Sequence, residues 1–305
     1  MKPNRQASFL KHFLRLVALF SIAVTAPGQT TYRSSLQAWR AEQEAELRAE
    51  KGWLAVAGLF WLKEGPNRLG AGPDNDILLP AGSAPDRVGV IELRRGTTTL
   101  TAAEGALVTS QGQPIRVLEL KADAAGAPTL IKVGSLTMTV IKRGERYGLR
   151  VWDRDSPKRR EFAGMRWFPA RESYRVTARF VPHERPTEIV VPNVLGDVTK
   201  MPSPGVLIFE LAGREHRLVP VAAEGGKLFI IFRDLTSGKA TYGAGRFLYA
   251  DAPADGRVTL DFNRAVNPPC AFTPHATCPL PPKQNRLSVA VEAGELTYHA
   301  ADGKT

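Results

Sequence analysis

Cysteine is almost absent from this 305-residue chain, which has only Cys270 and Cys278. Two thiols are too few for a Cys₄ zinc centre or a disulfide-framed scaffold. Histidine is also sparse, at five, and neither a Gly-x-Ser-x-Gly elbow nor a His-Glu-x-x-His pair occurs, which excludes the commonest serine hydrolase and zinc protease signatures. His183-Glu184 is followed by Arg185-Pro186, which ends any helix there. His216 and His299 sit in ordinary strand-like surroundings, so a histidine-based hydrolase would depend on His275. No apolar run is long enough to span a bilayer; the longest near the N-terminus is Leu16 to Val24. What the chain does have is globular composition, 43% hydrophobic and 23% charged.

The short apolar run follows Lys2, Arg5, Lys11 and Arg15 with no acid before it, the layout of a secretory signal peptide. Small residues at Ala26 and Gly28 place cleavage after Gly28, so residues 1–28 are expected to leave and the protein to be periplasmic or secreted. No Cys follows the run, so no lipid anchor is expected, and no stable membrane attachment remains once the leader is gone. The formal charge is +11 for the whole chain and +7 from Gln29 onward. Apart from Lys158-Arg159-Arg160 the positive charge is dispersed, which favours solubility and argues against a nucleic-acid partner.

Seven residues separate Cys270 from Cys278 in a proline-rich loop. In an oxidising compartment such a pair reads first as a disulfide, contributing on the order of 2–3 kcal/mol by loop-closure entropy. The rival reading adds His275 as a third metal ligand, one short of a structural zinc site, so no metal is expected. No cofactor motif is present.

Periodicity gives a mainly β fold. Leu36, Trp39 and Leu47 mark an amphipathic helix over 34–50 that packs on a sheet, with Ser34 or Ser35 as its cap. Residues 52–153 carry short apolar runs separated by turn signals. Ser135 to Ile141 alternates strictly, with Leu136, Met138 and Val140 on one face, so a β-sandwich is expected. Charged, helix-breaking residues 154–163 mark a domain boundary. Beyond it, residues 160–299 read as an antiparallel β domain with strands at 174–181, 188–192, 206–211, 227–233, 246–249 and 258–263. Ala212-Gly213, Gly225-Gly226 and Asp255-Gly256 signal hairpin turns.

In the first domain, Asn67-Arg-Leu-Gly70 followed by Asn75-Asp-Ile-Leu-Leu-Pro80 resembles the opening hairpin of a forkhead-associated domain, a phosphopeptide-binding β-sandwich. Ala71 stands where that family carries a phosphate-contacting Arg. Ser83 is not followed by the expected His, and Gln111-Gly112 only approximates a later Asn-Gly. The resemblance implies a fold without the guanidinium that would read phosphothreonine, and leaves any protein partner of this half unidentified.

Polar residues of the kind normally buried concentrate between Ile230 and Arg286. Alternation over 258–263 puts Val258, Leu260 and Phe262 on one face, with Thr259, Asp261 and Asn263 on the other. Arg246 and Leu248 share a face, opposite Phe247 and Tyr249. If the two strands pair, Arg246 meets Asp261. The loop Asp234 to Gly245 is rich in glycine and hydroxyls, the composition of an oxyanion-binding loop or a long hairpin connection, although Ala240 after Gly238-Lys239 rules out a P-loop. Prolines stiffen Asn267 to Phe272 and Thr277 to Pro282.

Phe232-Arg-Asp-Leu-Thr-Ser-Gly238, Thr241-Tyr-Gly-Ala-Gly-Arg-Phe-Leu248, Asp261-Phe-Asn263 and Asn267-Pro-Pro-Cys-Ala-Phe272 through Asn285-Arg286 strongly resemble the bacterial family called domain of unknown function 1684. With Gly52-Trp-Leu and Gly58-Leu-Phe-Trp-Leu62 upstream, the resemblance spans about residues 36–298. It implies no activity, and His275 departs from an expected aromatic.

Three functional expectations follow. The first is a small polar or anionic ligand held by Arg233, Asp234, Tyr242, Arg246, Asp261, Asn263, Asn267 and Arg286. The second is a hydrolase using Asp234 or Asp261 as base with Arg246 on the oxyanion. In the third, the cluster is a hydrogen-bonded core that only fixes the sheet.

Overall fold

The computed structural model describes residues 27–299. The expected leader lies outside the described residues except for Pro27 and Gly28, which open the first helix, α1 (Pro27–Arg48). Among the described residues no helix is long and apolar enough to cross a membrane. The proposed caps are corrected: Ser34 and Ser35 lie inside α1, where their hydroxyls donate back to the Thr31 and Tyr32 carbonyls at 3.0 and 2.8 Å. Leu36 and Leu47 are buried as the periodicity requires, and Trp39 meets Trp167 edge to face.

The first half contains β1 (Val56–Trp61), β2 (Gly65–Gly70), β3 (Ile77–Leu78), β4 (Gly89–Arg94), β5 (Thr97–Ala102) and β6 (Thr109–Ser110). It continues with β7 (Gln113–Pro114), β8 (Val117–Glu119), β9 (Ile131–Val133), β10 (Leu136–Arg143) and β11 (Arg146–Asp153). Two sheets form, ordered β1-β11-β10-β9-β6-β7 and β3-β2-β4-β5-β8. Leu69, Ile91 and Leu100 of one pack against Met138, Val140, Leu149 and Val151 of the other, all fully buried. The alternation in β10 therefore aims the expected residues inward.

One expectation fails here: β2 and β3 are not a hairpin but run parallel, Leu69 beside Ile77 and Gly70 beside Leu78. Parallel pairing turns both Leu69 and Ile77 into the core. The crossover is held by the Asn75 amide, which donates to the Gly72 and Asp86 carbonyls, each at 2.7 Å.

The expected boundary is not helix-breaking, because α2 (Pro157–Arg160) forms there with proline in its first turn, where a missing N–H is harmless. Ser156 donates to the Leu54 carbonyl and Lys158 to that of Phe272, tying the junction to both halves.

The second half contains β12 (Arg175–Pro192), β13 (Val198–Leu211), β14 (Arg214–Leu218), β15 (Val221–Ala222), β16 (Leu228–Phe232), β17 (Arg246–Ala250) and β18 (Arg257–Asp261). They form sheets ordered β14-β13-β12-β18 and β15-β16-β17. The two strands expected at 174–181 and 188–192 are one bent strand. Its register with β13 shifts between Pro182 and Thr187, where Pro182 and Pro186 supply no N–H to the ladder. The resulting hairpin arm reaches the first half, where Asp197 near its tip pairs with Arg146 of β11. All three turn dipeptides have positive φ at both residues; Ala212-Gly213 closes a two-residue hairpin between β13 and β14, Gly225-Gly226 lies in the longer β15–β16 connection, and Asp255-Gly256 turns the chain into β18, which does not pair with β17.

Candidate functional site

Arg246 opens β17 opposite Phe232, and only 1% of it is exposed. Its Nη2 donates to Asp234 Oδ2 at 2.8 Å and to the Val291 carbonyl at 2.9 Å, while Nη1 donates to the Ala293 carbonyl. Both side chains of the Arg246–Asp234 pair are completely enclosed. Burial works against the guanidinium's charge, and Asp234 and then Glu295 counter it. The other Asp234 oxygen accepts the Thr236 amide at 2.8 Å, the Thr236 hydroxyl at 2.6 Å and the Val291 amide at 3.2 Å. Asp234 thus folds the loop that follows it. Within that loop the Gly238 and Thr241 amides bond back to the Thr241 and Thr236 carbonyls, so those amides do not form an oxyanion cradle.

Arg246 does not meet Asp261. β18 pairs with β12 rather than β17, so the two residues belong to different sheets. The Asp261 carboxylate instead accepts the Tyr32 hydroxyl of α1 at 2.9 and 3.0 Å and lies 3.6 Å from Arg264 Nε. Burial, with Asp261 beside it, pushes the Tyr32 phenol up to about 12. Asn263 is fully buried. Its Nδ2 donates to the Tyr32 oxygen and the Arg171 carbonyl, and its Oδ1 accepts the Arg171 amide. This cluster docks α1.

A third group centres on Glu295, which sequence reasoning missed because it lies beyond the polar segment. Its carboxylate accepts the Asn267 amide and side-chain Nδ2, each at 2.8 Å. Burial pushes its pKa up to about 7. Asn285 is likewise buried, with Nδ2 donating to the Val219 and Ile231 carbonyls. Arg233 and Arg286 sit on an isolated parallel bridge, the first half-buried and the second exposed. Tyr242 donates to the Cys270 carbonyl at 3.1 Å. Cys270 and Cys278 are free thiols in contact, the Cys270 amide donating to Cys278 Sγ at 3.1 Å.

The eight expected ligand residues are therefore divided among separate networks and do not converge on one opening. The hydrolase constellation is not assembled either: Asp234 is sealed from water and Asp261 is in another cluster from Arg246, whereas a general base must reach water or substrate. Among the described residues no group of three or more His, Cys, Asp or Glu side chains is placed to hold a metal.

Hollows occur elsewhere. One of about 520 Å³ lies on the outer face of the β3-β2-β4-β5-β8 sheet, lined by Arg68, Asn75, Asp86, Arg87, Val90 and Thr101. Arg68, Val90 and Thr101 stand in register across β2, β4 and β5, forming its floor. Arg68 is held by Asp76 through its amide and Nε at 3.0 and 3.1 Å. Those bonds hold the exposed Asp76 carboxyl below its usual range. Arg87 is exposed and makes no hydrogen bond or ion pair among the described residues. An open groove of about 680 Å³ runs along the hairpin arm beside Thr187, Val190, Lys200 and Pro202. Neither contains a residue of the polar segment.

Residues 160–296 match the family described as "Protein of unknown function (DUF1684)". The solution NMR structure of an uncharacterized protein from gene locus rrnAC0354 of Haloarcula marismortui is 36% identical, covers 46% of this chain and 80% of its own, and superposes with a TM-score of 0.39. No curated protein matches.

Proposed function

Proceeding from a chain whose residues 160–296 match the DUF1684 family, we propose that the protein is exported and binds a small polar ligand in the hollow on its first-half sheet. In this reading the Arg246, Asp261 and Glu295 networks are internal scaffolding. The observation that carries it is the contrast in access. The hollow has the volume of a small-molecule site and an unpaired guanidinium at Arg87, whereas Arg246 and Asp234 are sealed. Arg87 and Asp86 supply charges of opposite sign, and Asn75 and Thr101 supply neutral hydrogen-bonding groups, which suits a polar ligand better than a bulky anion. A forkhead-associated-like origin for this half belongs to the same reading, with phosphothreonine excluded as ligand because no Arg follows Gly70.

The test is thermal shift across sugars, phosphates, carboxylates and amino acids. A stabilising ligand is expected to lose its effect in Arg87→Ala and in Thr101→Trp, which fills the floor. Silence across the library, or a shift that survives both changes, refutes the site. Export is checked by N-terminal sequencing of the protein expressed with its leader. A start near Gln29 in the extracytoplasmic fraction supports it, and an intact N-terminus in the cytoplasm overturns it.

A further inference from the structure

Cys270 and Cys278 belong to none of the networks above. Cys270 is half-buried and Cys278 is 4% exposed, and their contact is set by anchors outside the pair. The Tyr242 hydroxyl holds the Cys270 carbonyl. The Cys278 carbonyl accepts the Val194 amide from the hairpin arm, and Arg143 of β10 donates to the Thr277 hydroxyl at 3.2 Å. These anchors hold the Cys278 sulfur 3.1 Å from the Cys270 amide, so the two cysteines are neighbours in the folded loop.

Close to Cys278 stands a buried cation, Arg150, over Trp53, which packs against the cluster that contains Cys278. Arg150 of β11 is 8% exposed, and its side chain makes no hydrogen bond among the described residues, leaving its buried Nε unsatisfied. It lies over the Trp53 and Trp152 rings, 5.1 and 6.0 Å from their centroids. A buried charge needs a counter-charge; burial and Arg143 work against the Arg150 cation, while Asp123 and then Cys278 favour it.

We propose that Cys270 and Cys278 are an exchange-active dithiol, with Cys270 attacking small disulfides, Cys278 resolving the mixed disulfide, and Arg150 positioning and stabilising the Cys278 thiolate. The assignment follows access, because the attacking sulfur must be reached by the incoming disulfide. Electrostatics agree. The hydrogen bond from Cys278, together with Tyr242, pulls the Cys270 thiol down to about 7, whereas the bond to Cys270 and burial hold Cys278 up. Tyr242 and Arg150 act on the pair directly, Arg143 bonds to Thr277 beside Cys278 and with Asp123 acts on Arg150, and His275 lies in the same loop.

The chemistry balances. The Cys270 thiolate displaces one thiolate from a disulfide such as oxidised glutathione, forming a mixed disulfide. Cys278 then releases its proton and attacks Cys270 Sγ, which expels the second glutathione thiolate. The protein dithiol loses two electrons and two protons, and the glutathione disulfide becomes two thiols.

The experiment uses the reduced full chain, oxidised glutathione and intact mass measurement. Wild type is expected to lose two hydrogens without a lasting adduct. Cys278→Ser should trap one glutathione per chain, and Cys270→Ser should trap none at the same rate. Arg150→Met should let the mixed disulfide accumulate. It should also move the pH profile of the resolving step upward, a change that mere loss of packing would not produce. Iodoacetamide labelling of Cys278→Ser, confirmed folded by circular dichroism and keeping a hydroxyl donor beside Cys270, gives an independent reading and should follow a thiol that ionises below the ordinary cysteine range. Thiols that stay unreactive until the protein is unfolded would overturn the proposal, as would equal trapping by both serine variants.

Discussion

Replacing Asp234 with Asn keeps the shape of the side chain but removes the charge opposite Arg246. The Thr236 and Val291 amides can still bond to the Asn oxygen, but its nitrogen then faces Arg246 Nη2, donor against donor. Both partners are completely enclosed, so water cannot replace the lost acceptor. Removing one member of a buried ion pair costs about 3–5 kcal/mol, whereas an exposed pair contributes about 0–1 kcal/mol. At about 2–4 °C per kcal/mol for a chain approaching this size, the melting temperature should fall by roughly 10 °C. Urea unfolding of wild type, Asp234→Asn, Arg246→Met and the double variant is the assay, with the slope checked for constancy. The coupling energy should be about 2–3 kcal/mol, the upper part of the range for contacting residues. A loss below about 1 kcal/mol, within the exposed-pair range, would falsify the picture of a sealed pair and restore solvent access to the segment.

Glu295 makes stability pH-dependent in a definite direction. Its folded pKa of about 7 lies above its ordinary 4.5, so between these values the folded protein holds a proton that the unfolded chain releases. Its contribution is present below pH 4.5 and is lost as the pH rises towards 7, on the order of 3 kcal/mol in total. Glu295→Gln should flatten that slope in denaturant titrations at stepped pH; an unchanged slope refutes the assignment. Tyr32→Phe deletes the hydroxyl shared by Asp261 and Asn263. It should cost roughly 1–3 kcal/mol, with amide exchange in α1 accelerating more than in β10. Asn67→Ala removes a side chain whose Oδ1 accepts the Lys63 amide and whose Nδ2 donates to Lys63, Gly65 and Ile91. A loss of about 2–3 kcal/mol is expected, since buried partners are left unpaired, and thermal unfolding reads it directly.

The β content, the sandwich core and the faces of β10, β17 and β18 were legible because alternation reports burial directly. Val258, Leu260 and Phe262 do enter the core, and Phe247 and Leu248 do serve opposite cores. Pairing was not legible. Periodicity says which side of a strand is apolar but not which strand lies beside it, so Arg246 was matched to Asp261 although their strands fall in different sheets. The same gap made β2 and β3 a hairpin. The proline-bearing bulge in β12 broke its pattern into two apparent strands, and β14 was overlooked because only His216 and Leu218 of it are buried. Access was the other hidden quantity. A buried polar residue and a ligand-binding one share composition, and only the enclosing atoms tell them apart.

The bond between Tyr32 and Asp261 joins residues 229 positions apart. During synthesis the N-terminal helix therefore emerges long before the strand that receives it exists. Leu47 finds Trp53 and Leu54 close by in the chain, but Trp39 lacks Trp167 and Tyr32 lacks Asp261 until those segments follow. Long-range closure of this kind is intrinsically slow, so the docking of α1 is a late step of folding. Such a delay would keep the N-terminal region accessible to whatever machinery handles the nascent chain.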